Sequence, residues 1–162
     1  MAQGGLPQEV LDGFAASFAV VCAFVTDPAG KLLIVKPTYR DHWQFVGGMV
    51  DRGETPHEAC AREVKEEIGV DLRVGDLLVL DYVPDHEFVA APMTIYIFDC
   101  GVIDEPDQIR LQENELAEFA FDPLDEVLRK FLPVHQALVG LAIGAHRTGR
   151  TAFQPRVGPL QA

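Results

Sequence analysis

Residues 47–70 read Gly47-Gly48-Met49-Val50-Asp51-Arg52-Gly53-Glu54-Thr55-Pro56-His57-Glu58-Ala59-Cys60-Ala61-Arg62-Glu63-Val64-Lys65-Glu66-Glu67-Ile68-Gly69-Val70. The second half carries the marks of a helix. Thr55 stands as N-cap, Pro56 suits the first helical position, and Glu58 is placed to complete a capping box. No breaker interrupts Ala59 to Ile68. Ala61, Val64 and Ile68 make a narrow apolar stripe for packing, and Gly69 is set to end the helix as a left-handed C-cap. Glu63, Glu66 and Glu67 fall at i, i+3 and i+4, which puts them on one helical face. Three carboxylates on one patch repel each other, and divalent cations are the natural group to offset that cost. Gly47, Gly48 and Gly53 mark an irregular loop where the backbone comes close to something.

Outward from this stretch, the pattern is that of a sheet. Ser17 to Thr26 is apolar on both alternating faces, as in a central strand covered on both sides. Asp27-Pro28-Ala29-Gly30 is a turn, and Lys31 to Val35 returns as a second strand. Lys36 to His42 is a polar loop, and Trp43 to Val46 is a short strand entering the glycines. Beyond the helix, Arg73 to Val83 and Met93 to Cys100 are rich in strand formers, with a turn at Pro84-Asp85-His86-Glu87. Gly101 to Glu118 is a long acidic connection, Phe119 to Phe121 a last short strand, and Asp122 to Glu126 the start of a helix. A further helix is expected over His135 to Arg147, where Leu138, Leu141 and Ala142 recur with helical period. Met1 to Gly13 reads as a lead-in arm and Thr148 to Ala162 as an irregular tail. No repeat or linker stands out, so residues 1–162 are expected to form a single domain.

The stretch is similar to the signature of the Nudix hydrolases. That signature is Gly, five residues, Glu, seven residues, Arg-Glu, an aliphatic, any residue, Glu-Glu, any residue, Gly and an aliphatic. Gly48, Glu54, Arg62, Glu63, Val64, Glu66, Glu67, Gly69 and Val70 occupy every fixed position. One departure precedes it: the family usually has Pro-Gly-Gly where this chain has Val46-Gly47-Gly48. The resemblance implies an α/β/α sandwich with a mixed central sheet and a catalytic loop-helix. It implies hydrolysis of a pyrophosphate bond in a nucleoside diphosphate linked to another moiety, with Mg2+ or Mn2+ as cofactor. Its metal ligands would be Glu63, Glu66, Glu67 and the carbonyl of Gly47. Family members are often homodimers.

Other roles follow from position. Arg62 can pair along the helix with Glu58 and Glu66, so it is expected to orient a glutamate. Glu54 lies outside the helix and is expected to face the site. The general base is open: Glu113, Glu115 and Glu118 of the acidic connection are candidates, with Glu115 preferred, and Glu67 could serve instead. Tyr39, Arg40 and Trp43, beside the signature, could stack a base or grip a phosphate; the alternative for Trp43, with Phe45, is that it simply packs the sheet. A proline shortly after the signature accompanies ADP-ribose enzymes of the family, and Pro84 falls near that place. Clean-up of oxidised nucleoside triphosphates is an equal rival. A non-catalytic nucleotide sensor and an isoprenoid diphosphate isomerase are the alternatives on the same fold; both commonly have degraded signatures, unlike this chain.

Composition bounds the partners. The net charge is −12, which argues against a general nucleic-acid binder, since that role needs a basic face. It leaves room for a phosphorylated small molecule screened by metal ions. Cys22, Cys60 and Cys100 are widely spaced and form no CxxC pair, as expected of reduced thiols in a cytoplasmic protein. The most apolar run, Phe14 to Val25, is too short to span a bilayer, and Met1 to Gly13 lacks the basic start of a signal peptide. Neither a zinc HExxH motif nor a GxSxG elbow is present.

Overall fold

In the computed structural model, residues 5–84 and 91–155 are described. They form α1 (Gln8–Leu11), β1 (Phe18–Thr26), β2 (Leu32–Pro37), β3 (Val46–Met49), α2 (Pro56–Ile68), β4 (Leu77–Val83), β5 (Met93–Val102), β6 (Leu116–Asp122), α3 (Pro133–Thr148) and β7 (Ala152–Pro155). The seven strands make one mixed sheet in the order β6-β2-β1-β5-β4-β7, with β3 paired to β1. β1 runs through the middle. β5 lies parallel to it on one side; on the other, β3 pairs antiparallel with Val20 to Ala23 and β2 meets it at Thr26.

The two-sided apolar pattern of β1 has its explanation in two helices on opposite faces. Val21, Ala23 and Val25 point to one face and join Ala59, Cys60, Val64 and Ile68 of α2 in a core. Phe24 points to the other face and, with Leu32, Ile34, Val79 and Ile97, packs against Leu138, Val139, Ala142 and Ile143 of α3. Each large side chain fully buried in this way contributes about 1.5–3 kcal/mol relative to exposure. The fold is thus the expected mixed α/β sandwich.

α2 begins and ends as its sequence requires. Thr55 accepts from the backbone N–H of Glu58, Glu58 accepts from that of Thr55, and Gly69 closes the helix in the left-handed region at φ 73°. α3 starts at Pro133 and ends on Gly149, also left-handed.

Several expectations need correction. Gly47 and Gly48 lie inside strand β3, not in an irregular loop, because β3 zips onto β1 through Cys22↔Gly47 and Val21↔Gly48. The tail is not irregular throughout: Ala152–Pro155 forms β7, parallel to β4. The lead-in arm contains the short α1, none of whose residues is buried. No helix starts at Asp122; β6 runs through that residue, and a 3-10 turn follows at Val127–Lys130. Glu118 belongs to β6, so the acidic connection is shorter than expected. The strand expected from Arg73 begins at Leu77. Residues 85–87 of the expected turn, the start of the arm at 1–4 and the end of the tail at 156–162 lie outside the described residues. Among the described residues no helix is long and apolar enough to cross a membrane.

Candidate active site

The carboxylates of α2 gather at β3 around one guanidinium. Arg62 donates from Nε and Nη2 to the two oxygens of Glu54 at 2.8 and 3.0 Å. Its Nη1 donates to Glu63 Oε1 at 2.8 Å and Glu66 Oε2 at 3.0 Å, and its Nη2 also to the carbonyl of Met49 at 3.0 Å. The fork geometry of arginine suits this bidentate grip. Arg62 therefore ties the loop before α2, the helix itself and the end of β3 together. The expected pairing with Glu58 is replaced by pairing with Glu54, because Glu58 is engaged in the capping box.

Glu63 and Glu67 face inward. Glu67 is only 5% exposed, and its Oε2 accepts from the Gly47 N–H at 2.8 Å. Burial, then the fields of Glu63, Glu115 and Glu66, push its acid up to about 8 against the Gly47 hydrogen bond. Burial also raises Glu63, against its bond to Arg62. Glu54 goes the other way: its hydrogen bond from Arg62 holds it below the usual carboxylate range. Arg62 is held still more firmly protonated by the same bonds.

The glycines of β3 are required by what touches them. A Cβ on Gly48 would lie 2.6 Å from Glu63 Oε1. Gly47 sits at φ 145° and a Cβ there would collide with the Val21 carbonyl. Only glycine lets the backbone and the carboxylates meet so closely.

Among the described residues no three His, Cys, Asp or Glu side chains converge as a metal cage. Arg62 occupies Glu63 and Glu66, and Gly47 occupies one oxygen of Glu67. The donor set nonetheless fits a hard divalent cation. It is all oxygen, it adjoins the cradle left by Gly48, and its two inward-facing acids, Glu67 and Glu63, are raised chiefly by burial, a cost of charge that a cation would offset.

Glu115 is brought to this group by the segment before β6. That segment docks on the end of α2: Arg110 N–H donates to the Ile68 carbonyl at 2.8 Å and Gln112 N–H to the Glu67 carbonyl at 3.0 Å. The charge of Glu115 is felt by both Glu63 and Glu67. The other two candidates separate from it. Glu118 lies 3.7 Å from Lys36 across the β2–β6 pair, and Glu113 is exposed on the turn.

On the opposite face of the sheet, β3 also borders a pocket of about 380 Å³. Its walls come from Val20, Cys22, Phe45, Met93 and Ile95 of the sheet side and Phe131, Leu138 and Val139 of the α3 side; Gly47, Gly48 and Met49 form its edge. Tyr39, Arg40, Gln44 and His135 are the polar residues of its lining. The Arg40 guanidinium lies 5.3 Å from the centroid of the Tyr39 ring. Trp43, grouped with Tyr39 and Arg40 from the sequence, is not part of this lining. It packs against the α3-side core, with Lys130 Nζ 4.8 Å from its ring centroid. The pocket residues on β5 and α3 carry no signal in the sequence beyond ordinary apolar periodicity, which is indistinguishable from core.

Residues 17–139 match the family model described as the NUDIX domain. The RNA pyrophosphohydrolase of Hydrogenovibrio crunogenus is 31% identical over 157 residues, covering 84% of this chain and 93% of that protein. The CTP pyrophosphohydrolase of Escherichia coli is 28% identical over 99 residues, covering 59% of this chain and 70% of that protein. Among solved structures, that of a UDP-X diphosphatase superposes with a TM-score of 0.72 at 21% identity, covering 94% of this chain and 76% of the other. That of a MutT protein from Methanosarcina mazei gives 0.68 at 22% identity, covering 85% and 98%. At these identities the structural likeness is one of fold. The chain belongs to the NUDIX family. Within that family it is a hydrolase of pyrophosphate bonds.

Proposed function

We propose that this chain is a divalent-cation-dependent pyrophosphohydrolase acting on a small nucleotide: a nucleoside triphosphate, or a nucleoside diphosphate joined to another group. One observation carries the reading. Gly47 and Gly48 are shared between the carboxylate cluster on the α2 face and the apolar pocket on the α3 face. A nucleoside seated in the pocket would present its phosphates across these side-chain-free residues to Glu63 and Glu67. An aromatic and aliphatic pocket with few polar groups suits a nucleobase.

Glu63, Glu66, Glu67 and the Gly47 carbonyl would hold Mg2+ or Mn2+. Bound there, the cation supplies positive charge for the diphosphate oxygens and lowers the pKa of water. Arg62 orients Glu54, Glu63 and Glu66, keeping their oxygens in place for substrate. Glu115, with its charge close to Glu63 and Glu67, is positioned to take a proton from an attacking water, and the raised acid of Glu67 makes it the second candidate. Tyr39 and Arg40 grip the nucleoside at the pocket rim. Residues 1–162 would act as one domain. Cys60 and Cys100, unbonded with their sulfurs 3.8 Å apart, suit a reducing cytoplasm.

A second reading, the 5′-triphosphate end of an RNA, is favoured by the 31% identity to an RNA pyrophosphohydrolase. It offers the same anhydride, but the net charge of −12 opposes a long polyanion. The test is a panel of nucleoside triphosphates, ADP-ribose, nucleoside diphosphate sugars and a 5′-triphosphorylated oligonucleotide, each with Mg2+ or Mn2+. Release of mononucleotide, phosphate or pyrophosphate that chelator abolishes is expected, fastest with a small nucleotide. Absence of turnover on every member, with tight ligand binding, would leave a sensor instead.

A further inference from the structure

We infer that Gln112 is a positioning residue for the reaction, holding the carboxylate of Glu115 in register with the carboxylates of α2. This deepens the reading of Glu115 as the proton acceptor and rests on it.

Gln112 is bonded to both parts that must be brought together. Its N–H donates to the carbonyl of Glu67 at 3.0 Å, which fixes it to the last turn of α2 at the residue whose own carboxylate lies in the cluster. Its carbonyl accepts from the N–H groups of Glu115 and Leu116, both at 2.9 Å. Its side-chain Nε2 donates to Glu115 Oε1 at 3.2 Å. Thr38 holds the same turn from the β2 side, but only by its backbone: Thr38 N–H donates to the Glu115 carbonyl at 2.8 Å, and the Thr38 hydroxyl to the Asn114 carbonyl at 3.3 Å.

Both backbone polar groups of Glu115 are thus bonded, and what remains free is its side chain. That side chain is exposed, so several rotamers are open to it. Its charge is also repelled by Glu63 and Glu67, whose acids it raises, and repulsion favours the rotamers that turn away. A bond from an amide anchored on α2 opposes this and narrows the choice. The chemistry of the holding group matters too. A carboxamide donates without carrying charge, so it steers Glu115 without neutralising it, as an ammonium would. The bond takes one carboxylate oxygen and leaves the second for a proton.

The test is a double-mutant cycle in the full chain: wild type, Gln112→Leu, Glu115→Gln and the double variant. Each is assayed with Mg2+ on the panel member that wild type turns over fastest. The backbone bonds of residue 112 do not depend on its side chain, so Gln112→Leu keeps the turn on α2 and removes only the grip on Glu115. Circular dichroism and chemical denaturation check that each variant is folded. Gln112→Leu is expected to lower kcat about threefold to tenfold with KM unchanged. Gln112→Glu, which keeps the shape and puts an acceptor in place of the donor, should lower it at least as far. In the Glu115→Gln background, Gln112→Leu should lower kcat by less than about twofold, because a residue that acts through Glu115 has nothing left to act on. The same loss in both backgrounds would mean a merely structural part and would overturn the inference. So would wild-type kcat in Gln112→Leu or in Glu115→Gln. Each of these results leaves hydrolysis of the panel, and with it the hydrolase reading, intact.

Discussion

Two helices lie on opposite faces of one sheet, and they are built for different work. α2 carries Glu58, Arg62, Glu63, Lys65, Glu66 and Glu67 over nearly three turns, and it is fastened at both ends by a capping box and a left-handed glycine. α3 has no side-chain cap and places Leu138, Val139, Ala142 and Ile143 against the sheet. Charge collects on the first face and apolar surface on the second. Under the proposed function, reaction and recognition are separated by the thickness of a strand, and Gly47-Gly48 is where they would touch.

Breaking the α2 side should have the larger consequences. Glu67→Gln is expected to lower kcat about 10³-fold or more, the scale of losing several kcal/mol of charge stabilisation, while circular dichroism shows an intact fold. Near-normal turnover would remove Glu67 from the site. Arg62→Ala should follow, with kcat down about 10²-fold, since it frees Glu54, Glu63 and Glu66 together. Stability should fall by about 1–2 kcal/mol, because hydrogen bonds to charged groups are lost. Lysine at this position should rescue little, as it lacks the fork.

The α3 side should respond differently. Leu138→Ala opens the pocket wall and is expected to raise KM while kcat changes little; its stability cost should be about 2–4 kcal/mol by chemical denaturation. A fall in kcat with KM unchanged would place Leu138 outside the binding pocket.

The smallest effects concern the frame of α2. Thr55→Ala should cost about 1 kcal/mol through loss of the cap. The pH dependence of the metal-free chain is more informative. Glu67 titrates near 8 when folded and near 4.5 unfolded. Between these values the folded state holds a proton that the unfolded chain releases, so this group makes stability fall as pH rises through that window. Thermal melts from pH 5 to 8.5 should show the decline. Glu67→Gln should lose the part at the alkaline end, leaving only the share of Glu63, which burial also raises.

The same contrast explains what could be read in advance. α2 was legible because its polar residues are tied to register. Thr55, Pro56, Gly69 and the i, i+3, i+4 glutamates each have a local meaning that spacing alone reveals. The strands of the central sheet were legible from β1, whose two apolar faces demand two covering layers. Illegible features depend on contacts distant in sequence. Nothing near Glu54 says that it will bind Arg62 rather than leave Arg62 to Glu58. Phe131, Ile95 and Val139 look like any core residues until the fold leaves a gap between them. β7 is a four-residue strand held by β4, about seventy residues earlier in the chain, so no local pattern announces it. Trp43 lies three residues beyond Arg40, across the bends at 41–42, and this change of chain direction, which no local pattern announces, turns it into the α3-side core while Tyr39 and Arg40 stay at the pocket.

The most direct measurement is titration of Mn2+ into the metal-free protein, followed by electron paramagnetic resonance, in wild type and Glu67→Gln. If the α2 carboxylates are a cation site, wild type binds Mn2+ stoichiometrically and Glu67→Gln loses at least tenfold in affinity, on the scale of removing one charged oxygen ligand. Equal binding by the two proteins, or none by wild type, would contradict the assignment of this face to metal-assisted hydrolysis.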